Sequence, residues 1–168
     1  MALIKTGYLE LEELLQLQKL PSNDRYAKGP VAVIECVQEI PCNPCEAACK
    51  FGAIMIGDPI TNLPVLSEEK CSGCGICVSK CPGLAIFVVN KAYTQHTATV
   101  SFPYEYFPTP KEGMCVKAVD RKGEYLCDAV VIKVMNPKSF DHTPVVTIEI
   151  PKELSDEVRS MQREVFYR

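Results

Sequence analysis

The stretch CSGCGICVSKCPGLAIFV (71–88) sets four cysteines at gaps of two, two and three residues and follows the last with proline. A second stretch, CNPCEAACKFGAIMI (42–56), falls on its C-terminal part after a shift of 32 residues. Cys42, Cys45 and Cys49 then coincide with Cys74, Cys77 and Cys81, and Ala53 and Ile54 with Ala85 and Ile86. The partner of Cys71 under that shift is Glu39, and the nearest thiol, Cys36, stands three residues upstream. Lys50 occupies the place of Pro82. VAVI (31–34) leads into the first loop and LPVL (63–66) into the second, so each half reads as strand, cysteine loop, short helix, strand. Such a duplication implies a pseudo-two-fold unit in which neither half has a core of its own.

The chain of 168 residues holds ten cysteines, eight of them between 36 and 81. In a reducing compartment disulfides are disfavoured and metal ligation leads. The spacing has a physical reason. Three thiolates two residues apart can wrap three corners of one cubane, and the fourth, on the following helix, points away toward a second site. Gly73 and Gly75 let the backbone approach closely and offer N–H groups to sulfur. Pro82 turns the chain out of the loop. Zinc is the rival metal, since paired C-x₂-C units are common in zinc ribbons, but zinc sites seldom need this doubled pattern.

Composition narrows the classes. Apolar residues make up 47% and charged residues 23%, ordinary for a globular protein, and the net charge of −3 gives no basic footprint for nucleic acid. MALIKTGYLELEELLQLQKL (1–20) lacks the unbroken apolar run of a signal peptide, and no segment reaches the roughly 20 apolar residues of a membrane span. The expected location is cytoplasmic.

Three regions follow: an N-terminal helical extension over 1–29, the cysteine repeat over 30–92, and a β-rich domain over 93–168. In the first, Leu11, Leu14 and Leu15 start an apolar stripe that Pro21 ends. It is read as a helix packing on its own domain, with a docking helix for a partner as the alternative. In the third, strands are predicted at TATVSF (97–102), MCVKAV (114–119), YLCDAVVIKV (125–134) and VVTIEI (145–150). DRKG (120–123) suits a hairpin turn. Leu154, Val158, Met161 and Val165 share one face at helical spacing, which predicts a final helix from about 151 or 155 to 165. The fold class is α+β: the repeat, then a small antiparallel sheet or partial barrel, then the C-terminal helix.

CSGCGICVSKCP (71–82) has the C-x₂-C-x₂-C-x₃-C-P form, and residues 30–92 resemble a two-cluster, bacterial-type [4Fe–4S] ferredoxin. In that family the fourth cysteine of each motif ligates the other cluster. The resemblance implies one cluster on Cys71, Cys74, Cys77 and Cys49, and another on Cys36, Cys42, Cys45 and Cys81. Cys36 fits if VQEIP (37–41) loops out as a three-residue insertion, which costs little at a surface. Otherwise it is a buried strand cysteine, and that cluster has three irons or another ligand. More widely, GPVAVIECVQEIPCNPCEAAC (29–49) and the layout around it resemble the small ferredoxin-like subunits of FAD-dependent amino-acid dehydrogenases of the proline or hydroxyproline type. That resemblance implies partner subunits that carry FAD, and allows a [2Fe–2S] protein beside them.

No G-x-G-x-x-G fingerprint, P-loop or nucleophile–base arrangement appears, so the chain is expected to carry electrons rather than to be an enzyme by itself. The leading expectation is an electron-transfer subunit of a flavin-dependent oxidoreductase; a free soluble carrier and a zinc-stapled binding module are the alternatives. The cluster wrapped by 71–77 is expected to have the higher potential. Glycine N–H groups, Lys70 and Lys80 lie near it, whereas Pro44, Glu35, Glu39 and Glu46 surround the first loop. Cys115 and Cys127 are read as packed free thiols, neighbours across a hairpin at most. His96 and His142 are read as surface or structural residues rather than ligands, and Tyr104, Tyr106 and Phe107 as a core edge or interface.

Overall fold

A computed structural model of the chain describes residues 3–163. Three short helices open it: α1 (Leu3–Thr6), α2 (Leu11–Gln16) and α3 (Asn23–Tyr26). Helix α2 is anchored by Leu14, which is fully buried, while Leu15 and Leu17 stay exposed. Ser22 caps α3, its hydroxyl accepting from the Arg25 N–H at 3.2 Å.

The cysteine repeat follows as β1 (Val31–Ile34), α4 (Pro44–Ala48), β2 (Ile54–Met55), β3 (Val65–Leu66), α5 (Ile76–Lys80) and β4 (Ile86–Asn90). The helices begin at Pro44 and Ile76, 32 positions apart like the cysteines they carry. The outer strands of the repeat, β1 and β4, pair with each other, and so do the inner strands, β2 and β3.

Beyond it lie β5 (Thr97–Pro103), β6 (Cys115–Val119), β7 (Tyr125–Met135), β8 (Val145–Pro151) and β9 (Ser160–Met161). The first four match the strands read from alternation. They do not stand apart: one seven-stranded antiparallel sheet runs β1-β4-β5-β8-β7-β6-β9. Residue 92 lies in the turn between the hydrogen-bonded neighbours β4 and β5.

Both faces of the β1–β4 pair are covered. Val31, Val33, Phe87 and Val89 enter one core with Val100, Val131, Ile148 and Met161, drawn from strands at both edges of the sheet. Ala32, Ile34, Ile86 and Val88 enter a second core with Ile54, Val78 and the thiols of Cys45 and Cys77. Two covered faces explain why VAVI and IFVV are unbroken apolar runs instead of alternating ones.

The expected C-terminal helix is not formed. Residues 152–154 make one 3₁₀ turn, and the chain then pairs with β6 through β9. Arg159 N–H donates to Val119 O at 3.0 Å and Gln162 N–H to Lys117 O at 2.8 Å. Leu154, Val158 and Met161 do face the core, as their spacing suggested, but Arg159 is buried too, which one apolar helix face could not accommodate. Val165, the last residue of that expected face, lies outside the described residues. Cys115 and Cys127 are not opposite each other in the β6–β7 hairpin; Cys115 faces Val130 and Cys127 faces Ala118.

Candidate metal centre

Eight cysteines line two separate spaces beside the second core. Cys49, Cys71, Cys74 and Cys77 line one, with Ala32 and Ile54. Cys36, Cys42, Cys45 and Cys81 line the other, with Ile56 and Ile86. Each group therefore takes three thiols from one loop and one from the other.

Helix geometry produces the exchange. Cys45 lies within α4 and Cys49 just past its end; Cys77 lies within α5 and Cys81 just past its end. Cys49 leaves its helix at φ −79°, ψ 96° and Cys81 at φ −80°, ψ 109°, nearly the same extended conformation. The repeat extends to hydrogen bonds: Ala53 N–H donates to Cys49 Sγ at 3.2 Å and Ala85 N–H to Cys81 Sγ at 3.4 Å. A third N–H, of Ala32 on the free edge of β1, donates to Cys71 Sγ at 3.4 Å.

The thiols feel one another. Burial first, then the charges of Cys81 and Cys42, push the Cys45 thiol up to about 11. Burial, then Cys71, Cys74 and Cys49, push Cys77 up to about 12. Burial also raises Cys81, with Cys36 and Cys42 adding to it against backbone hydrogen bonds. Iron ligation would require these thiols to surrender their protons. Among the described residues no three His, Cys, Asp or Glu side chains converge as a single ion would require. A cubane is held at four separate corners and tolerates wider spacing than a tetrahedral zinc ion. All-thiol donors, sulfur-directed N–H groups and an apolar surround suit a four-iron cluster in each space.

The two loops are built differently. Gly73 (φ +67°) lies against Pro30, and a Cβ there would stand 2.6 Å from Pro30 Cβ and O. Gly75 (φ +80°) starts α5 from a left-handed conformation. The first loop is held from outside: Cys42 N–H donates to Ile60 O at 3.2 Å, and Glu46 Oε1 accepts from the N–H groups of Ile56 (3.0 Å) and Gly57 (3.3 Å). Residues 38–41 are exposed while Cys36 is half-buried, so the extra residues loop outward.

Two arginine arrangements carry no signal in the cysteine pattern. Arg25, buried on α3, donates to Glu68 O (2.8 Å), Gly29 O (3.1 Å), Pro30 O (2.7 Å) and Cys71 O (2.7 Å). Glu35, the residue before Cys36, accepts from Arg121 at 2.8 and 2.6 Å and from Arg159 at 2.6 Å. Burial alone would raise the Glu35 carboxyl; the two guanidiniums outweigh it and hold it below the usual carboxylate range. Two of the three carboxylates counted against the first loop are therefore not free charges: Glu35 is paired twice and Glu46 is bound to backbone N–H groups, while Glu39 is exposed. His96 and His142 are exposed, away from both spaces, and Tyr104 and Tyr106 stack edge-on at 5.6 Å.

Residues 64–87 match the 4Fe-4S binding domain, which covers the second loop alone. An uncharacterized ferredoxin of Methanocaldococcus jannaschii is 29% identical over 106 residues, 63% of this chain and 62% of that one. One component of the Na(+)-translocating ferredoxin:NAD(+) oxidoreductase complex of Acetobacterium woodii is 44% identical over 48 residues, 29% of this chain and 14% of that protein. Protein Pixie of Drosophila melanogaster is 34% identical over 106 residues, 54% of this chain and 17% of that protein. The chain spans only about a fifth or less of the curated relatives matched first, at 17%, 20% and 16% of their lengths. No solved structure matches the chain. The chain carries a 4Fe-4S ferredoxin domain, and an iron–sulfur electron-transfer role has the support of these ferredoxin matches. Among the described residues no helix is long and apolar enough to cross a membrane.

Proposed function

We propose that the chain relays electrons through two [4Fe–4S] clusters, one held by Cys36, Cys42, Cys45 and Cys81 and the other by Cys49, Cys71, Cys74 and Cys77. The observation that carries this is the exchange of Cys49 and Cys81 between the two spaces. Bound there, the clusters would supply reversible one-electron transfer. The chain's own part is to fix eight thiolates, to aim N–H groups at three sulfurs, and to surround both spaces with apolar side chains. Ile54 lines one space and Ile56 the other, so the two are two residues apart along one short segment. That closeness favours passage from one cluster to the other.

In this reading the chain is a subunit of a flavin-dependent oxidoreductase of the amino-acid dehydrogenase type, located in the cytoplasm. FAD sits on partner subunits, with room for a [2Fe–2S] protein among them. Support comes from the layout of 29–49 and from the extent of chain outside the cysteine repeat. A free carrier is the second reading. It is favoured by the uncharacterized ferredoxin, whose matched 106 residues form nearly equal shares of both proteins, 63% and 62%, so the two are of similar length.

Anaerobic purification of the full chain, with iron, sulfide and zinc analysis, tests the core of the proposal. Iron and sulfide for two four-iron clusters per chain are expected, with a low-temperature EPR signal on reduction. Stoichiometric zinc, or iron for a single cluster, would overturn it. Co-elution with flavin-bearing chains from the native source is expected of the subunit; a lone monomer that reduces several enzymes would establish the carrier.

A further inference from the structure

The segments flanking the cysteine repeat each place a guanidinium beside one of the two cysteine loops, Arg25 on the Cys71 carbonyl and Arg121 and Arg159 on the Glu35 carboxylate next to Cys36. Arg25 comes from the N-terminal segment and is 7% exposed. Its four hydrogen bonds all reach carbonyl oxygens, and two of these belong to Cys71 and to Pro30, the residue on which Gly73 packs. Among the described residues no carboxylate forms an ion pair with it; Glu68 and Glu69 line the same cleft, and the Glu68 carboxylate is taken by the Ser22 N–H and hydroxyl.

Arg121 and Arg159 come from the other side. The β6–β7 turn holds Arg121, and that turn is fixed by Asp120 Oδ1 accepting from the N–H groups of Lys122 and Glu124. Arg159 is 3% exposed, lies over the Phe87 ring at 5.2 Å, and donates from Nη1 to Ser155 O and Val158 O. Both grip Glu35, whose own N–H donates to Ala85 O at 2.9 Å. Two buried cations thus share one buried anion directly before Cys36. Glu157 approaches Arg121 only at 3.6 Å with its side chain 40% exposed, which leaves the buried balance positive.

We propose that these arginines act separately on the two clusters. Arg25 positions the loop of Cys71 and raises the potential of the cluster that Cys71, Cys74, Cys77 and Cys49 hold. Arg121 and Arg159, through Glu35, position Cys36 and raise the potential of the cluster that Cys36, Cys42, Cys45 and Cys81 hold. The inference rests on the two-cluster reading. A cation in a low-dielectric surround stabilises the extra electron of a reduced cluster, and the effect falls with distance, so each group acts chiefly on its own neighbour. The polypeptide outside the repeat then has a duty of its own beyond any docking.

The test uses the full-length holoprotein, prepared anaerobically, in EPR-monitored redox titrations. The two signals are first assigned with Cys74→Ser and Cys42→Ser, one ligand from each group. Arg25→Gln is expected to lower the midpoint of the signal that Cys74→Ser alters and to leave the other in place. Arg121→Gln is expected to do the reverse. Arg25→Lys and Arg121→Lys keep the charge and are expected to stay near the wild-type midpoints. Selective failure of one variant to load its own cluster, seen as loss of about half the iron with the other signal intact, also supports the assignment. Equal shifts of both signals in either variant, no shift with both clusters loaded, or loss of both clusters in both glutamine variants would overturn it. Failure of the two-cluster reading shows up earlier and differently, as too little iron or as zinc in the wild-type protein.

Discussion

The two cysteine loops carry thiols at matching positions, yet they draw on glycine geometry and on distant chain in different measure. The loop around 71–77 writes much of its shape in its own residues, with Gly73 where a side chain would strike Pro30, Gly75 at positive φ to start α5, and thiols at regular gaps, and Arg25 adds one bond from outside, to Cys71 O. The loop around 36–45 has no glycine and leans on distant chain. Ile60 accepts its backbone N–H, the segment after β2 occupies Glu46, and residues 86 and 124 positions beyond Glu35 hold the approach to Cys36. Local glycine geometry can be written in a motif, whereas long-range support cannot, which is why two ligand loops of one repeat differ so much in how plainly they read.

The difference can be broken from either side. The largest effect is expected from Gly73→Ala, which places a methyl group 2.6 Å from Pro30 and strains a φ of +67°. The variant should lose about half its iron, because the loop of one cluster can no longer close. An iron content equal to wild type would mean that the outside contacts of this loop, Arg25 among them, suffice without the glycine. Next, Glu35→Ala leaves Arg121 and Arg159 buried without their carboxylate, at side-chain exposures of 8% and 3%. Urea unfolding should show a loss of about 3–5 kcal/mol, as expected when one partner of a buried ion pair is removed. Glu46→Ala strips the acceptor from two backbone N–H groups and should cost about 1–3 kcal/mol. The smallest effect is expected from Asn62→Ala, which removes one 3.1 Å bond to Ile56 O and should cost about 0.5–1.5 kcal/mol in the same unfolding series. If all three of the last variants melted like wild type, the first loop would not depend on its distant supports.

The same division explains what else could be read in advance. Strands β5 to β8 were legible because their residues alternate or branch at Cβ, although β5 and β8 are buried almost throughout while β6 and β7 leave one face exposed. Cys49 and Cys81 followed from spacing and family resemblance, and the outward bulge of 38–41 from the insertion alone. The C-terminal segment misled because Leu154, Val158 and Met161 have helical spacing, while the free edge of β6 offered backbone partners that captured the chain instead. Tertiary pairing overrode a local pattern there. The Glu35–Arg121–Arg159 group had no signal at all, since its members are brought together only by the folded sheet. Arg25 left a faint one, a serine at the N-cap of a short helix, with nothing to say which carbonyls the guanidinium would reach.

Strand β4 belongs to the cysteine repeat by sequence and to the long sheet by hydrogen bonding, with β1 on one side and β5 on the other. A fragment cut after residue 92 would keep all eight proposed ligands. It would also leave β4 with a raw edge of unpaired amides and strip the cover from Val31, Val33, Phe87 and Val89. Exposed strand edges beside bare apolar surface recruit other chains. Such a fragment should collect into aggregates on expression, even though it carries every thiol proposed to hold iron.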